Sequence, residues 1–139
     1  MTVVESKSYW PLSTAERVVV VPSESNTRAR IGVRFVSDGE LVDAYPAGAH
    51  DRELALEGDP VAEAVRDFAA HVLASDPQCR RIVLPVVEEA LAAIAFAEEA
   101  GFRYVVDVET RAGAFSLLVT EPDWVLDQPA ALENIPIRE

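Results

Sequence analysis

Residues 76–87 read Asp76-Pro77-Gln78-Cys79-Arg80-Arg81-Ile82-Val83-Leu84-Pro85-Val86-Val87, and residues 88–103 continue Glu88-Glu89-Ala90-Leu91-Ala92-Ala93-Ile94-Ala95-Phe96-Ala97-Glu98-Glu99-Ala100-Gly101-Phe102-Arg103. The apolar run predicts a strand over Arg80 to Val87. Pro85 inside it predicts a bulge or a place where the neighbouring strand departs, because proline cannot donate to a ladder. Glu88 to Ala100 predicts a helix, with carboxylates at its positive end and Gly101 as its C-terminal stop. Phe102 to Glu109 then predicts a second strand. A strand, a helix and a strand in that order make a crossover unit, which commits the chain to a mixed sheet with helices on its faces.

Upstream, Ser75-Asp76-Pro77 ends a helix whose stripe is Val61, Val65, Phe68, Ala69, Val72 and Leu73. Asp59 is its expected N-cap and Pro60 its first residue. Arg17 to Val21 and Arg30 to Val36 predict strands, the second with Ile31, Val33 and Phe35 on one side and Arg30, Gly32 and Arg34 on the other. Ser37 to Glu40 predicts a hairpin turn with Gly39 at positive φ, and Leu41 to Tyr45 the return strand. Arg52 to Leu56 reads either as a short strand or as the end of a loop. Tyr9-Trp10-Pro11 is an apolar patch able to dock on a sheet. Downstream, Arg111 to Gly113 is a turn and Ala114 to Thr120 its paired strand.

The expected fold is thus α/β of the α+β type: a single-domain mixed sheet with an antiparallel meander, a β-α-β-α-β core and a C-terminal hairpin. Residues 1–16 form an N-terminal extension, 17–121 the domain and 122–139 an extended tail.

The chain has 139 residues, 12 basic and 24 acidic, for a net charge of −12. Half of it is apolar, enough for a core that needs no disulfide or metal staple. The charge excludes nucleic acid and anionic membrane as expected partners. No apolar run approaches the ~18–20 residues that span a bilayer. The single Cys79 calls for no oxidising compartment, so the cytoplasm is the expected location.

The stretch Asp76 to Val83, followed by Ala93-Ile94 and Ala100-Gly101-Phe102-Arg103 and then a hairpin ending Phe115 to Val119, resembles the C-terminal half of the GCN5-related N-acetyltransferases. It is most similar to the siderophore-biosynthesis and aminoglycoside-type acyltransferases, where an Asp-Pro often precedes the strand. The resemblance covers about Asp59 to Pro122. It implies an acyl-CoA held in a V-shaped gap between two parallel strands, with its diphosphate on a glycine-rich loop Q/R-x-x-G-x-G/A at a helix N-terminus. It also implies a Tyr on the following helix that protonates the leaving thiolate, and an Asn near that helix's start.

The loop aligns with Glu57-Gly58-Asp59-Pro60-Val61-Ala62. Only Ala62 keeps the motif. Pro60 removes a donor, and Glu57 and Asp59 place carboxylates where the family often has cations. The Asn position is Ala90 and the Tyr position Ala97, neither of which can donate. Sixteen residues precede the first expected strand, where the resemblance implies a strand and two helices, so the expected fold is a trimmed one. The resemblance assigns cofactor contacts to Gly58, Val61, Ala62, Val83 and Leu84, and acetyl-CoA or another acyl-CoA as the cofactor. Tyr45 and Tyr104, both expected in strands, are the candidates for a general acid.

Other residues have plainer expected roles. His50 has no second His or Cys at ligand spacing, so no metal site is expected. His71 falls off its helix's apolar stripe. Cys79 beside Arg80 and Arg81 is either an activated thiol or a buried small hydrophobe. Glu88 and Glu89 are general-base candidates or helix-end carboxylates. Arg28, Arg30 and Arg34 form either a basic face for an anion or a solvated strand face. Two functions follow: an acetyltransferase-like non-catalytic module that binds a ligand or pairs with a second subunit (a homodimer or another chain), or an acyl-CoA-dependent N-acyltransferase acting on a small-molecule or peptide amine.

Overall fold

In the computed structural model the described residues are 10, 12–25, 28–39, 41, 44–88, 90–111 and 113–122. Tyr9, Pro11, Glu40, Val42, Asp43, Glu89, Ala112 and the tail from 123 lie outside them. The strands are β1 (Arg17–Val21), β2 (Ala29–Phe35), β3 (Arg52–Glu57), β4 (Ile82–Val87), β5 (Arg103–Thr110) and β6 (Gly113–Thr120). The helices are α1 (Ala62–Ser75) and α2 (Leu91–Glu99). One six-stranded mixed sheet has the order β1-β2-β3-β4-β6-β5. Only the β3–β4 pair is parallel.

The partner of β2 corrects the sequence reading. It is β3, in register from Arg30↔Glu57 to Phe35↔Arg52, and not Leu41 to Tyr45. After β2 the chain makes a short 3-10 turn, Val36–Asp38, and the N–H groups of Ala44 and Tyr45 both donate to the Leu41 carbonyl. That is a turn that lays Leu41 and Tyr45 over the sheet as buried cover. The alternation Glu53/Leu54/Ala55/Leu56 suits a central strand with two buried faces, and that requirement decided the pairing.

Gly39 likewise differs from expectation, with an extended backbone (φ −127°). A Cβ there would stand 2.3 Å from Glu53 Oε2 and 2.4 Å from Arg34 Nη2. The position demands glycine for close approach, not for a left-handed turn.

Both helices lie on the same side of the sheet, where the sequence reading put helices on both faces. The β3-α1-β4 and β4-α2-β5 crossovers advance in the same direction, so right-handed connections place α1 and α2 together. Val65, Phe68, Ala69 and Val72 of α1 and Ala97 of α2 pack there on Ile31, Val33, Leu54, Leu56, Ile82, Leu84 and Leu118. Each large apolar side chain so buried contributes about 1.5–3 kcal/mol. Among the described residues the opposite face is covered by short 3-10 turns and loop segments. Trp10 and Leu12 cover Ala55, and Val36, Leu41 and Tyr45 cover Val83, Phe115, Leu117 and Val119. Gly32 makes room for this cover, since a Cβ on it would lie 2.2 Å from Leu12 Cδ2.

Helix starts are later than the sequence suggests. α1 begins at Ala62 with Val61 as its cap, because Pro60 instead forms a β-bridge with Ser23. α2 begins at Leu91 because the Glu88 N–H donates to Ala114 and so prolongs the β4–β6 ladder. Its C-terminus is as expected. Gly101 has φ +95°, its N–H meets the Glu98 carbonyl and the Phe102 N–H meets Ala97, a Schellman closure.

On the face away from the helices, Arg34 and Glu53 are cross-strand partners and both buried, with Arg34 Nε 2.7 Å from Glu53 Oε2. The Arg34 guanidinium lies 4.2 Å from the Trp10 ring centroid. Removing one member strands a charge in the core. Arg34→Met is therefore expected to cost about 3–5 kcal/mol in urea unfolding, and Arg34→Met with Glu53→Leu to recover most of that loss. A single variant as stable as the parent would show that the pair does not hold this face.

Candidate functional site

β3 and β4 are paired only at Arg52↔Ile82 and Glu53↔Val83. Beyond Glu53 and Val83 they part, and Pro85 lies on the parted segment while still in register with Leu117 of β6. The Arg52 N–H donates to the Arg81 carbonyl and the Glu88 N–H to the Ala114 carbonyl, both at 3.2 Å. Main-chain polar groups alternate sides along a strand, so those of Leu54 and Leu56 aim toward β4, and those of Pro85 and Val87 toward β3. Proline is tolerated at that point because no β3 carbonyl waits for its missing N–H. The side chains bordering the gap on the helix face, Leu54, Leu56, Leu84 and Val86, are buried in the main core.

The wide end of the gap leads into the loop before α1. Gly58 has φ +79° and its Cα packs so closely on Arg28 and Ala29 that a Cβ would come within 3.2 Å of them. The following residues are sewn to the β1–β2 loop. The Glu24 N–H donates to the Asp59 carbonyl (2.8 Å), and the Val61 N–H to the Pro22 carbonyl (3.1 Å), on either side of the Ser23–Pro60 bridge. An oxyanion at this helix start would find the Val61 donor engaged and none on Pro60. It would also meet the carboxylates of Glu57, Asp59 and Glu63 nearby in the chain. Glu57 is itself held by Arg30, whose Nε donates to it at 2.7 Å.

The sequence candidates fall in different places. Gly58, Val61 and Ala62 belong to the sewn loop and helix start. Val83 is the last paired residue of β4, with its side chain in the cover of the helix-free face. The Leu84 side chain is in the main core, and its main chain faces β6. Tyr45 is not in a strand. It is buried, and its hydroxyl accepts a 3.0 Å bond from Arg81 Nη1. Tyr104 is on edge strand β5, 46% exposed, and a hydrogen bond with Asp107 and, to a smaller degree, burial push its pKa up. A register shift between Tyr104 and Val106 puts Tyr104 and Asp107, three residues apart, on the same side. Ala97 is buried in the main core, and Ala90 precedes α2.

His71 is exposed on α1. Among the described residues no three His, Cys, Asp or Glu side chains are placed to hold a metal ion. Among the described residues no helix is long and apolar enough to cross a membrane. The basic face proposed for Arg28, Arg30 and Arg34 does not form, because Arg34 is buried on Glu53 and Arg30 is paired with Glu57. Cys79 is buried and its thiol donates to the Arg81 carbonyl at 3.3 Å; burial pushes its pKa up to about 11. The activated-thiol reading is thereby corrected.

Sequence reasoning passed over two carboxylates at the other end of β3. Asp51 accepts bonds from the N–H groups of Gly48 (2.8 Å), Arg80 (3.0 Å) and Arg81 (3.2 Å), locking two loops together. Asp76 accepts from Arg52 Nη1 (2.9 Å) and the Gln78 N–H (2.9 Å), and His50 Nδ1 lies 3.2 Å away. Its pKa is lowered, first by the Arg52 bond and then by the Gln78 N–H. Asp-Pro at 76–77 was visible as a helix stop, but nothing in the sequence paired it with Arg52, 24 residues earlier.

No family model matches the chain, and no curated protein matches it. Solved structures do. Aminoglycoside acetyltransferase AAC(6')-Ib with ribostamycin and coenzyme A superposes with a TM-score of 0.61 at 18% identity, covering 80% of this chain and 67% of that one. The same enzyme with coenzyme A and kanamycin gives 0.60 at 17%, covering 81% and 71%. An uncharacterized protein from Bacillus halodurans gives 0.56 at 17%, covering 75% of this chain, which spans 57% of that protein's length. The chain therefore has the fold of the GCN5-related N-acetyltransferases.

Two expectations follow from the buried thiol and the lowered carboxylate. At pH 8 a thiol reagent should alkylate native Cys79 about 100-fold more slowly than the unfolded chain, since two pKa units separate the buried thiol from an ordinary one. Equal rates would mean that the thiol is accessible. For Asp76, the lowered pKa gives stability that is present above the ordinary carboxylate pKa near 4 and lost as pH falls through the native value. Asp76→Asn should thus melt lower at pH 7, by about 1–2 kcal/mol, and the difference should narrow below roughly pH 4. A difference unchanged down to pH 2 would contradict this assignment.

Proposed function

We propose that this chain is an acetyltransferase-fold module that does not use acyl-CoA as a substrate and acts by binding a ligand or pairing with another subunit. One observation carries the reading: the loop before α1, where this fold receives a diphosphate, is tied to the β1–β2 loop through Asp59, Pro60 and Val61. Alanine at positions 90 and 97 supports the same reading, as does the burial of Ala97 in the core. Edge strands β1 and β5 carry exposed valines (Val18, Val20, Val105 and Val106) that a second subunit, including a second copy, would cover. The unpaired, buried Cys79 is compatible with the cytoplasm.

A second reading has its own support. The parting of β3 and β4 keeps an acyl-CoA arm sterically possible, and AAC(6')-Ib, with which the chain superposes, is a coenzyme A-bound acetyltransferase of aminoglycosides. On that reading the protein is an acyl-CoA-dependent N-acyltransferase of a small-molecule or peptide amine, with Tyr45, Tyr104 or a water as proton donor.

Titration calorimetry with acetyl-CoA and with coenzyme A separates the two. The module reading expects no saturable heat at about 1 mM ligand and no rise in melting temperature, since a ligand selective for the native state must stabilise it. A dissociation constant in the micromolar range, or release of free coenzyme A in the presence of an amine, establishes the second reading instead.

A further inference from the structure

Strand β1 is one edge of the sheet, and among the described residues no strand lies beyond it. Its five residues, Arg17–Val21, include no carboxylate, in a chain with 24 acidic residues. The Val33 carbonyl faces β1, since it accepts the Glu16 N–H at 2.8 Å. Arg17 stands opposite Val33, so the main-chain groups of Arg17, Val19 and Val21 point into the β1–β2 ladder. By alternation the N–H and C=O groups of Val18 and Val20 point out of the edge. Their side chains lie on the face away from α1 and α2, because Val19 and Val21 pack against the helix-side core. Val18 is 37% and Val20 58% exposed.

The two edges of the sheet are not equivalent. Edge strand β5 carries Asp107 and Glu109, and its register shifts between Tyr104 and Val106. Carboxylates and an irregular ladder both deter a further strand. Strand β1 is regular along its whole pairing with β2 and has neither device. An apolar edge with outward main-chain groups is a template for another strand.

We infer that β1 pairs antiparallel with β1 of a second copy, about a two-fold axis through Val19. Val18 of each copy then stands opposite the partner's Val20. Those pairs are of the closely bonded kind, in which both residues exchange N–H···O bonds, so the outward groups of Val18 and Val20 are all used. The side chains of both valines from both copies meet on the face away from α1 and α2 as an apolar cluster.

Charge favours a second copy as the occupant. Two copies of a chain of net charge −12 repel, so their contact falls where carboxylates are absent. Arg17 is the one charge on the strand, and it stands opposite the partner's Val21. The two guanidiniums are thus four residue steps apart, about 13 Å along the strand. Each reaches the end of β1 where the Pro22 carbonyl holds the Val61 N–H, beside the first turn of α1 with its exposed Glu63. The cation of each copy therefore faces the acidic helix start of the other. Such a contact is isologous and closes at two copies, whereas β1 against β5 would propagate without end. The inference rests on the subunit-pairing reading proposed above and is independent of whether acyl-CoA binds.

Sedimentation velocity of the full chain from about 1 to about 500 µM should show a monomer–dimer equilibrium, with a dissociation constant on the order of 10–100 µM for so short an edge. Val20→Lys should weaken the dimer at least about tenfold, and Val106→Lys on β5 should leave it unchanged. Both side chains are exposed, and melting curves at low concentration will verify that the variants fold. The parent supplies a readout that needs no variant: the Val18 and Val20 amides should exchange hydrogen about threefold or more slowly at about 500 µM than at about 5 µM. A chain that stays monomeric at about 500 µM, a dimer insensitive to Val20→Lys, or exchange at Val18 and Val20 that ignores concentration would each overturn the inference. A dimer weakened by Val106→Lys alone would overturn it too, while leaving subunit pairing in place through β5. The acetyl-CoA titration tests the module reading separately from all of these outcomes.

Discussion

The buried pair of Arg34 and Glu53 organises the face of the sheet that lies away from α1 and α2. A charge pair in a core is tolerated only when each member satisfies the other and further groups take up the remaining hydrogen-bonding capacity. Here that demand shapes the surroundings. Trp10 stacks on the guanidinium, Gly39 approaches where no side chain fits, and Glu53 occupies the last rung before β3 and β4 part. Trp10 and Leu12 before β1, and Val36, Leu41 and Tyr45 after β2, thus cover the sheet. A packed cover of this kind excludes water from the pair without a layer of helix.

The two ends of β3 have different fates. At its end β3 parts from β4, and Pro85 stands on the parted segment of β4, where no ladder bond needs its missing N–H. There the loop before α1 is tied to the β1–β2 loop by main-chain bonds on either side of the Ser23–Pro60 bridge. At the beginning of β3, by contrast, charged side chains accumulate: Arg52, Asp51, Asp76 and His50 tie loops together by specific bonds. Strand geometry does not fix which polar side chains stand at either end, so fold and activity are separate conclusions.

Much of the architecture was legible because it rests on local pattern. The β-branched run at Arg17 to Val21, the strand Ile82–Val87 and the Gly101 stop follow from residue type and period alone. The meander was less legible. Leu41 to Tyr45 and Arg52 to Glu57 both alternate acceptably, and local sequence does not say which of them lies beside β2. The candidate site was legible only in its departures from pattern, at Pro60, Asp59 and Ala97. Arg52 with Asp76, and Arg34 with Glu53, are contacts between residues far apart in the chain and leave no local signature.

By itself, the sequence determined the order of elements, the proline at the point of parting and the missing N–H of Pro60 before α1, because each depends on the chemistry of a few consecutive residues. Only the tertiary structure decided which strand flanks β2, that both helices share one side, why residue 39 has no side chain and where the buried charges meet. Those outcomes depend on which distant residues share one core. Apolar area, volume and charge balance are settled there for the assembled sheet as a whole.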